Sequence, residues 1–184
     1  MAGHTVRPAE PDDARAVAQV QRASWQGAYL GMLPHRVLIA MADAQGPSFW
    51  HGVLKRSGGE GAVLVAELDD EVVGFISFGP IRERVPGYSG EFYALYVLPE
   101  AQGCGVGTAL MACAARTLVR HRSIGAAVWV LEENRLARKF YERLGGIRFG
   151  DGKLLRYAGE EFPEVREVAY GWPDLRRARW LVEN

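Results

Sequence analysis

The chain is poor in cysteine, with only Cys104 and Cys113 among its 184 residues. Two thiols cannot build the disulfide framework of a small secreted domain, and no Cys-x-x-Cys pair is present. The four histidines do not have the spacing of metal ligands, so we expect no metal site. A reduced, cytoplasmic setting is the simplest interpretation of this cysteine usage.

The chain also lacks long apolar runs and a net charge. No stretch of about 18 apolar residues is present, so we expect no membrane span, and residues 1–5 do not resemble a signal peptide. The 22 basic and 22 acidic side chains balance, which argues against a dedicated partner among nucleic acids or anionic membranes. We interpret the basic run at residues 176–179 as a solvated tail.

The remaining composition is that of an ordinary globular domain. An apolar content of 48% over 184 residues supports one sizeable core, so we predict a single domain spanning residues 1–184. The residue pattern predicts the order strand, helices, three strands, helix, strand, helix, two strands. This order indicates a mixed α/β domain and not a doubly wound sheet.

Several boundaries follow from local signals. Pro11-Asp12-Asp13 is typical of a helix start, and Asp69-Asp70 predicts a hairpin turn. The predicted strands cover residues 5–7, 62–68, 71–78, 91–98, 126–131, 147–149 and 165–170, and the predicted helices begin near residues 11, 34, 106 and 134. Gly58-Gly59 is predicted to form a loop.

A glycine-rich loop is the most informative feature. Gly103, Gly105 and Gly107 alternate in the segment 102–108, between an apolar strand and a helix. Glycines leave backbone N–H groups unshielded, and the helix directs its positive end to the same place, so the segment suits a phosphate or pyrophosphate. A Walker A loop would need a lysine before Thr108. A dinucleotide fingerprint would need a third glycine and a later acidic residue, which are missing here. A tight turn without ligand remains the alternative.

The spacing Gln102-x-x-Gly-x-Gly resembles the acyl-CoA pyrophosphate loop of the GNAT N-acetyltransferase superfamily. A second segment, residues 129–146, resembles that family's motif of a strand followed by Asn-x-x-Ala-x-x-Phe-Tyr and Gly. The resemblance implies the GNAT acyl-CoA N-acyltransferase fold, an α/β fold with a mixed central sheet and helices on both faces.

Asn134 and Tyr141 lie seven residues apart in this second segment. Seven residues make two helical turns, so both side chains face one side, about 10 Å apart along the axis. The resemblance implies that Asn134 hydrogen-bonds the pantetheine arm and that Tyr141 protonates the departing thiolate. The alternatives are a helix N-cap for Asn134 and a core aromatic for Tyr141.

The resemblance also assigns the remaining cofactor contacts. It implies that the strand 91–98 separates from the Val128 strand, and that pantetheine enters the gap. The implied backbone ligands of the pantetheine are Leu95, Tyr96 and Val97. The implied pyrophosphate loop comprises Gln102, Gly103, Cys104, Gly105, Val106, Gly107 and Thr108. Arg143 is placed to reach a CoA phosphate, with a solvated helix face as the alternative.

Glu91 stands where many family members carry a general base. An alkylammonium group has a pKa of about 10.4, so some group must take its proton before the amine can attack, and a carboxylate can do so directly or through a water chain. The alternative for Glu91 is an exposed carboxylate at the end of a strand. Other groups that could do so are Glu67, Glu71, Glu83 and Tyr93. Trp25 and Tyr29 belong to the segment that lines the acceptor pocket in the family, with ordinary core packing as the alternative.

The sequence therefore predicts an acetyl-CoA-dependent N-acetyltransferase that acts by direct transfer. The expected partners are acetyl-CoA and a primary amine of a small molecule or protein, with no metal, nucleic acid or membrane. A homodimer is left open. The competing hypotheses are a catalytically inactive acyl-CoA-binding regulatory module and a nucleotide-binding protein of another class.

Overall fold

The computed structural model describes residues 3–29, 31–57, 61–157 and 159–181. The predicted loop at Gly58-Gly59 lies outside these residues. The strands are β1 Thr5–Pro8, β2 Ala62–Leu68, β3 Glu71–Pro80, β4 Gly90–Val97, β5 Ala126–Leu131, β6 Ile147–Tyr157 and β7 Glu160–Trp172. The helices are α1 Ala14–Ala28, α2 His35–Ala44, α3 Pro47–Arg56, α4 Val106–Arg120 and α5 Arg135–Arg143.

The seven strands form one mixed sheet in the order β1-β2-β3-β4-β5-β7-β6. Strands β4 and β5 are parallel, and every other neighbouring pair is antiparallel. The predicted hairpin joins β2 and β3, and both turn residues, Asp69 and Asp70, have positive φ angles of 50° and 63°. Two left-handed residues match the twist of a two-residue hairpin.

Helices cover both faces of the sheet, as the sequence predicts. On one face, α4 and α5 pack on a core that includes Phe92, Leu110 and Tyr170. On the other face, α1 and α3 pack on a core built around Trp50 and Phe75. Helix α2 covers the β5–β7 end of that second face. The candidate site lies at the gap between β4 and β5, which is open to both of these faces.

Three parts of the chain differ from the sequence-based prediction. Helix α3 was not predicted, although Pro47 opens it and Lys55 and Arg56 close it. Strands β6 and β7 are 11 and 13 residues long, because they form a long hairpin whose outer part extends beyond the rest of the sheet. The prediction covered only residues 147–149 of β6 and 165–170 of β7.

The predicted solvated run 176–179 is flanked on both sides by buried residues. Leu175 and Trp180 are buried, while the arginines at 176, 177 and 179 are exposed. The indole N–H groups of Trp172 and Trp180 both donate to the carbonyl of Leu144, each at 2.7 Å. The segment therefore closes the end of α5, and only its charged side chains face solvent.

Candidate active site

A gap opens between the two parallel strands at the middle of the sheet. β4 pairs with β5 only from Gly90 to Phe92, opposite Ala126 to Val128. A bulge in the β3–β4 register leaves Tyr93 unpaired, at the point where β4 leaves β5. Within the described ranges, the edge of β4 from Tyr93 to Val97 thus pairs with no strand on the β5 side. The predicted pantetheine ligands Leu95, Tyr96 and Val97 lie on this open edge.

The glycine loop lies directly beyond the open edge. Gly103 and Gly105 have φ angles of +77° and +88°, and Gly105 is the N-cap of α4. Among the described residues, no hydrogen-bond acceptor is found for the six consecutive backbone N–H groups of residues 103–108. Gln102 Nε2 donates to the carbonyl of Val97 at 3.0 Å and ties the loop to β4. Unpaired N–H groups at a helix N-terminus favour an anion.

Helix α5 carries the two predicted residues of the second motif. The side chain of Asn134 accepts a hydrogen bond from the N–H of Ala137 at 3.1 Å, which confirms the N-cap alternative. An N-cap uses only the amide oxygen, so the Asn134 NH₂ group is still a donor for a ligand.

Tyr141 is a core aromatic whose hydroxyl stays unengaged. Its ring packs against Tyr170 and Trp172 at centroid distances of 6.3 and 6.1 Å, and only 6% of the residue is exposed. Its hydroxyl has no hydrogen-bond partner within the described part of the chain. Burial, and secondarily the charge of Tyr96, raises the pKa of Tyr141 well above its usual value. The phenol is therefore protonated at neutral pH, as a proton donor must be.

An aromatic cluster lines the other side of the gap. The rings of Trp25, Tyr29 and Tyr96 lie 6.2–6.4 Å apart, and the hydroxyls of Tyr29 and Tyr96 are 3.2 Å apart. Burial raises the pKa of both tyrosines. The indole Nε1 of Trp25 is the one buried side-chain nitrogen or oxygen in the described ranges that lacks a hydrogen-bond partner. The structure thus brings both predicted acceptor-side residues, Trp25 and Tyr29, to one place.

Glu91 lies on the sheet face that carries the aromatic cluster, at the end of the gap where β4 and β5 are still paired. Only 1% of the residue is exposed. Its Oε2 accepts the backbone N–H of Arg82 at 3.0 Å, and its Oε1 accepts Arg82 Nε at 3.0 Å and also Nη2. Arg82 was not singled out in the sequence, because it lies in a charged loop where pairing partners cannot be read. Both oxygens of the predicted base are therefore engaged by one guanidinium and its backbone.

Glu167 is a second carboxylate that sequence reasoning missed. It lies on β7, opposite Leu131 of β5 and Lys153 of β6. Its flanking residue Val168 belongs to the core under α4 and α5, so Glu167 points to the opposite face, where the aromatic cluster lies. The available signal was Glu167 next to Arg166, the two charged residues of the otherwise apolar segment 165–170.

Arg143 lies at the end of α5 and is exposed. It lines a groove of about 670 Å³ together with Thr108, Trp180 and two arginines of the C-terminal segment, Arg177 and Arg179. The groove therefore connects Arg143, which the sequence predicts to contact a CoA phosphate, to the first turn of α4. Asp174 also lines the groove and pairs with Arg177 at 3.5 Å, so the three guanidinium groups leave a net positive charge of two.

Residues 3–29, 31–57, 61–157 and 159–181 contain neither a metal-binding cluster nor a helix that could span a membrane. No group of three or more His, Cys, Asp or Glu side chains lies close enough to hold a metal ion there. No helix in the same ranges has both the length and the apolarity to cross a bilayer.

The chain matches the family model for the acetyltransferase (GNAT) family over residues 23–146. The chain belongs to the GNAT acetyltransferase family. Its similarity to an N-acetyltransferase YuaI of Bacillus subtilis, itself described as uncharacterized, is 34% identity over 180 residues, which is 98% of this chain and 99% of that protein. As a family member, the chain is an acyltransferase.

Solved structures agree with the fold of this GNAT protein. The PaiA N-acetyltransferase of Thermoplasma acidophilum, in complex with coenzyme A, has a TM-score of 0.71 at 18% identity and covers 92% of this chain and 99% of its own. YncA of Salmonella typhimurium, with its cofactor acetyl-CoA, has a TM-score of 0.61 at 19% identity and covers 96% of each chain. These likenesses confirm the predicted fold class.

Proposed function

We propose that this GNAT protein transfers the acetyl group of acetyl-CoA directly to a primary amine held beside Tyr29 and Tyr96. The observation that carries the proposal is the gap between β4 and β5, which begins beside the loop 102–108. Tyr141 lies near this gap, because the charge of Tyr96 on the open edge of β4 adds to the effect of burial in raising the pKa of Tyr141. Pantetheine would lie in the gap as an added strand. The pyrophosphate would meet the unpaired N–H groups of residues 103–108, and Arg143 would reach a further phosphate. The two related structures described with coenzyme A and acetyl-CoA support this choice of cosubstrate.

The reaction needs three functions from the chain. A backbone N–H on the open edge of β4 polarises the thioester carbonyl and stabilises its oxyanion. A carboxylate takes a proton from the acceptor ammonium, and Glu91 is the residue that the sequence proposes for this role. Tyr141 then gives its proton to the departing thiolate. The unengaged hydroxyl of Tyr141 also argues against an inactive acyl-CoA-binding module, which has no need for a leaving-group acid.

Cosubstrate binding and turnover test the proposal separately. Acetyl-CoA should raise the melting temperature, since it binds only the folded state, whereas NAD and ATP at equal concentration should shift it little. Release of free thiol from acetyl-CoA should then be followed with a panel of primary amines. A larger thermal shift with NAD would contradict the cosubstrate. Acetyl-CoA binding without thiol release for any amine would favour the regulatory module.

A further inference from the structure

We infer that Glu167, on β7, is a catalytic carboxylate of this site that binds the ammonium group of the acceptor and takes its proton. The inference rests on the proposed acetyl transfer and assigns the base for it.

The position of Glu167 in the sheet supports this role. Glu167 pairs in register with Leu131, at the end of β5 where that strand has already left β4. Its side chain points to the sheet face that carries Tyr29 and Tyr96. The negative charge of Glu167 contributes to the raised pKa of both tyrosines, after burial and other nearby groups. Glu167 therefore faces the aromatic cluster across the gap that would hold the thioester.

The carboxylate of Glu167 is available to bind a ligand. Among the described residues, Glu167 has no cation within salt-bridge distance, and no hydrogen bond to its carboxylate is found. Its neighbours are already engaged. The Nζ of Lys153 lies 2.9 Å from Glu83 Oε2 and 4.1 Å from the centre of the Trp129 ring, and Arg82 is held by Glu91. A partly buried carboxylate without a partner is costly, and a ligand's ammonium would supply the missing charge.

The electrostatic surroundings of Glu167 also support this role. Burial raises the pKa of Glu167 above its ordinary value, and the nearby charges act in both directions. The positive charges of Lys153 and Arg82 lower the pKa, whereas the negative charges of Glu83 and Glu91 raise it. A carboxylate with a raised pKa is a better proton acceptor near neutral pH than an ordinary one.

The buried indole N–H of Trp25 points independently to a ligand here. It packs against Tyr96 and Tyr29 and is close enough to the Tyr96 hydroxyl to lower the pKa of Tyr96, but among the described residues no acceptor meets the geometry of a hydrogen bond with it. Buried donors in native structures are normally paired. A polar group of the bound acceptor would satisfy this donor beside Glu167.

The acceptor ammonium carries three protons, of which one passes to Glu167 and later to solvent. The freed nitrogen lone pair attacks the thioester carbon, so a C–N bond forms and the C–S bond breaks with its electron pair on sulfur. Tyr141 protonates that sulfur, and the second proton lost by nitrogen restores the phenol. The third proton remains on the amide product.

The test compares Glu167→Gln with Glu91→Gln in the full chain, using the primary amine that gives the fastest thiol release with the native protein. Glu167→Gln should lose about 10²–10⁴-fold in turnover near neutral pH and the acidic limb of its pH–rate profile. Activity should recover partly at high pH, where the free amine needs no base. Glu167→Asp should restore part of the rate. Acetyl-CoA affinity, measured by calorimetry, should not change.

Glu164→Gln is the matched control, because Glu164 is an exposed glutamate of the same strand. It should leave the rate and the profile unchanged, and the melting temperature of each variant reports folding. Retention of the acidic limb in Glu167→Gln together with its loss in Glu91→Gln would overturn the inference. That result would leave the proposed acetyl transfer intact, because native turnover tests the transfer by itself.

Discussion

Arg82 engages both carboxylate oxygens of Glu91, with its backbone N–H 3.0 Å from Oε2 and its Nε 3.0 Å from Oε1. The side chain of Glu91 is 2% exposed, whereas that of Arg82 is 61% exposed. The pair therefore joins the interior of the sheet to the charged loop after β3. A carboxylate held in this way is well suited to orienting that loop beside the acceptor side of the gap.

The first prediction follows from this pair. Glu91→Gln keeps the shape of the side chain but weakens charge-assisted hydrogen bonds, which are each worth about 1.5–3 kcal/mol. We expect a lower free energy of unfolding and a modest fall in turnover, measured by urea denaturation and steady-state kinetics. The pH–rate profile decides between the two carboxylates. Loss of its acidic limb would support the sequence-based assignment of Glu91 as the base.

The second prediction concerns Tyr141→Phe, which removes a hydroxyl and keeps the packed ring. We expect turnover to fall by about 10²–10⁴-fold with nearly unchanged acetyl-CoA affinity, because the hydroxyl acts when the thiolate departs. Kinetics and direct binding measurements check both parts.

Tyr170→Phe is the matched control for that variant. Tyr170 is a neighbouring buried tyrosine whose hydroxyl donates to Glu142 at 2.6 Å and accepts from Arg138 at 3.1 Å. Its removal should lower the free energy of unfolding, as the loss of hydrogen bonds does. Turnover should stay within a few-fold of the native value. Full activity in Tyr141→Phe would remove Tyr141 from the mechanism.

The third prediction concerns Gly105→Ala in the loop. The φ angle of +88° strains any side chain, at a cost of about 1–2 kcal/mol. Its Cβ would meet no backbone, only His4 at 3.7 Å, but it would stand beside the unpaired N–H groups. We expect acetyl-CoA affinity to fall by about tenfold or more, as the loss of one charge-assisted hydrogen bond would cause.

Gly87→Ala separates binding from strain. Gly87 lies in the loop between β3 and β4 with a φ angle of +87°, and a Cβ added there would meet no atom of the described residues within 4 Å. Both variants should lose similar stability in thermal melts, while only Gly105→Ala weakens binding in calorimetry. Equal affinities in the two variants would mean that the loop is only a turn.

The fourth prediction concerns stability at low pH. Arg7 binds Asp13 in a bidentate pair, at 2.7 and 2.9 Å. The pair, and then the backbone N–H of Glu10, lowers the pKa of Asp13 below its ordinary value. This contribution is present above about pH 4, the ordinary range of an aspartate, and is lost as the pH falls through the lower pKa of the folded state.

Asp13→Asn should therefore reduce the free energy of unfolding at pH 7 by about 0.2–1 kcal/mol, as is usual for surface pairs. The difference from the native protein should shrink below pH 4, measured by urea denaturation at several pH values. Asp12→Asn, in the same turn, should show no such dependence. A difference that stays constant with pH would exclude the linkage.

The sequence by itself determined the parts of the protein that depend on neighbours along the chain. The bounds of α4 and β5 agree with the prediction, because a glycine N-cap, an unbroken apolar run and helical periodicity are all local signals. The loop 102–108 and the Asn134–Tyr141 spacing are local in the same sense. The conformation of each motif depends on residues that are close together in the sequence. For that reason the family and the cosubstrate could be inferred before any tertiary contact was known.

Only the tertiary structure decided which side chains meet across the sheet. Tyr29 and Tyr96 are 67 residues apart, and Glu167 becomes part of the site because β7 inserts between β5 and β6. Neither the engagement of Glu91 by Arg82 nor the lack of a partner for Glu167 among the described residues can be inferred from neighbouring positions in the sequence. The direction of a strand residue follows from its register, and register is set by pairing with distant strands. For that reason the sequence indicated the chemistry, whereas the fold decided which carboxylate is available to perform it.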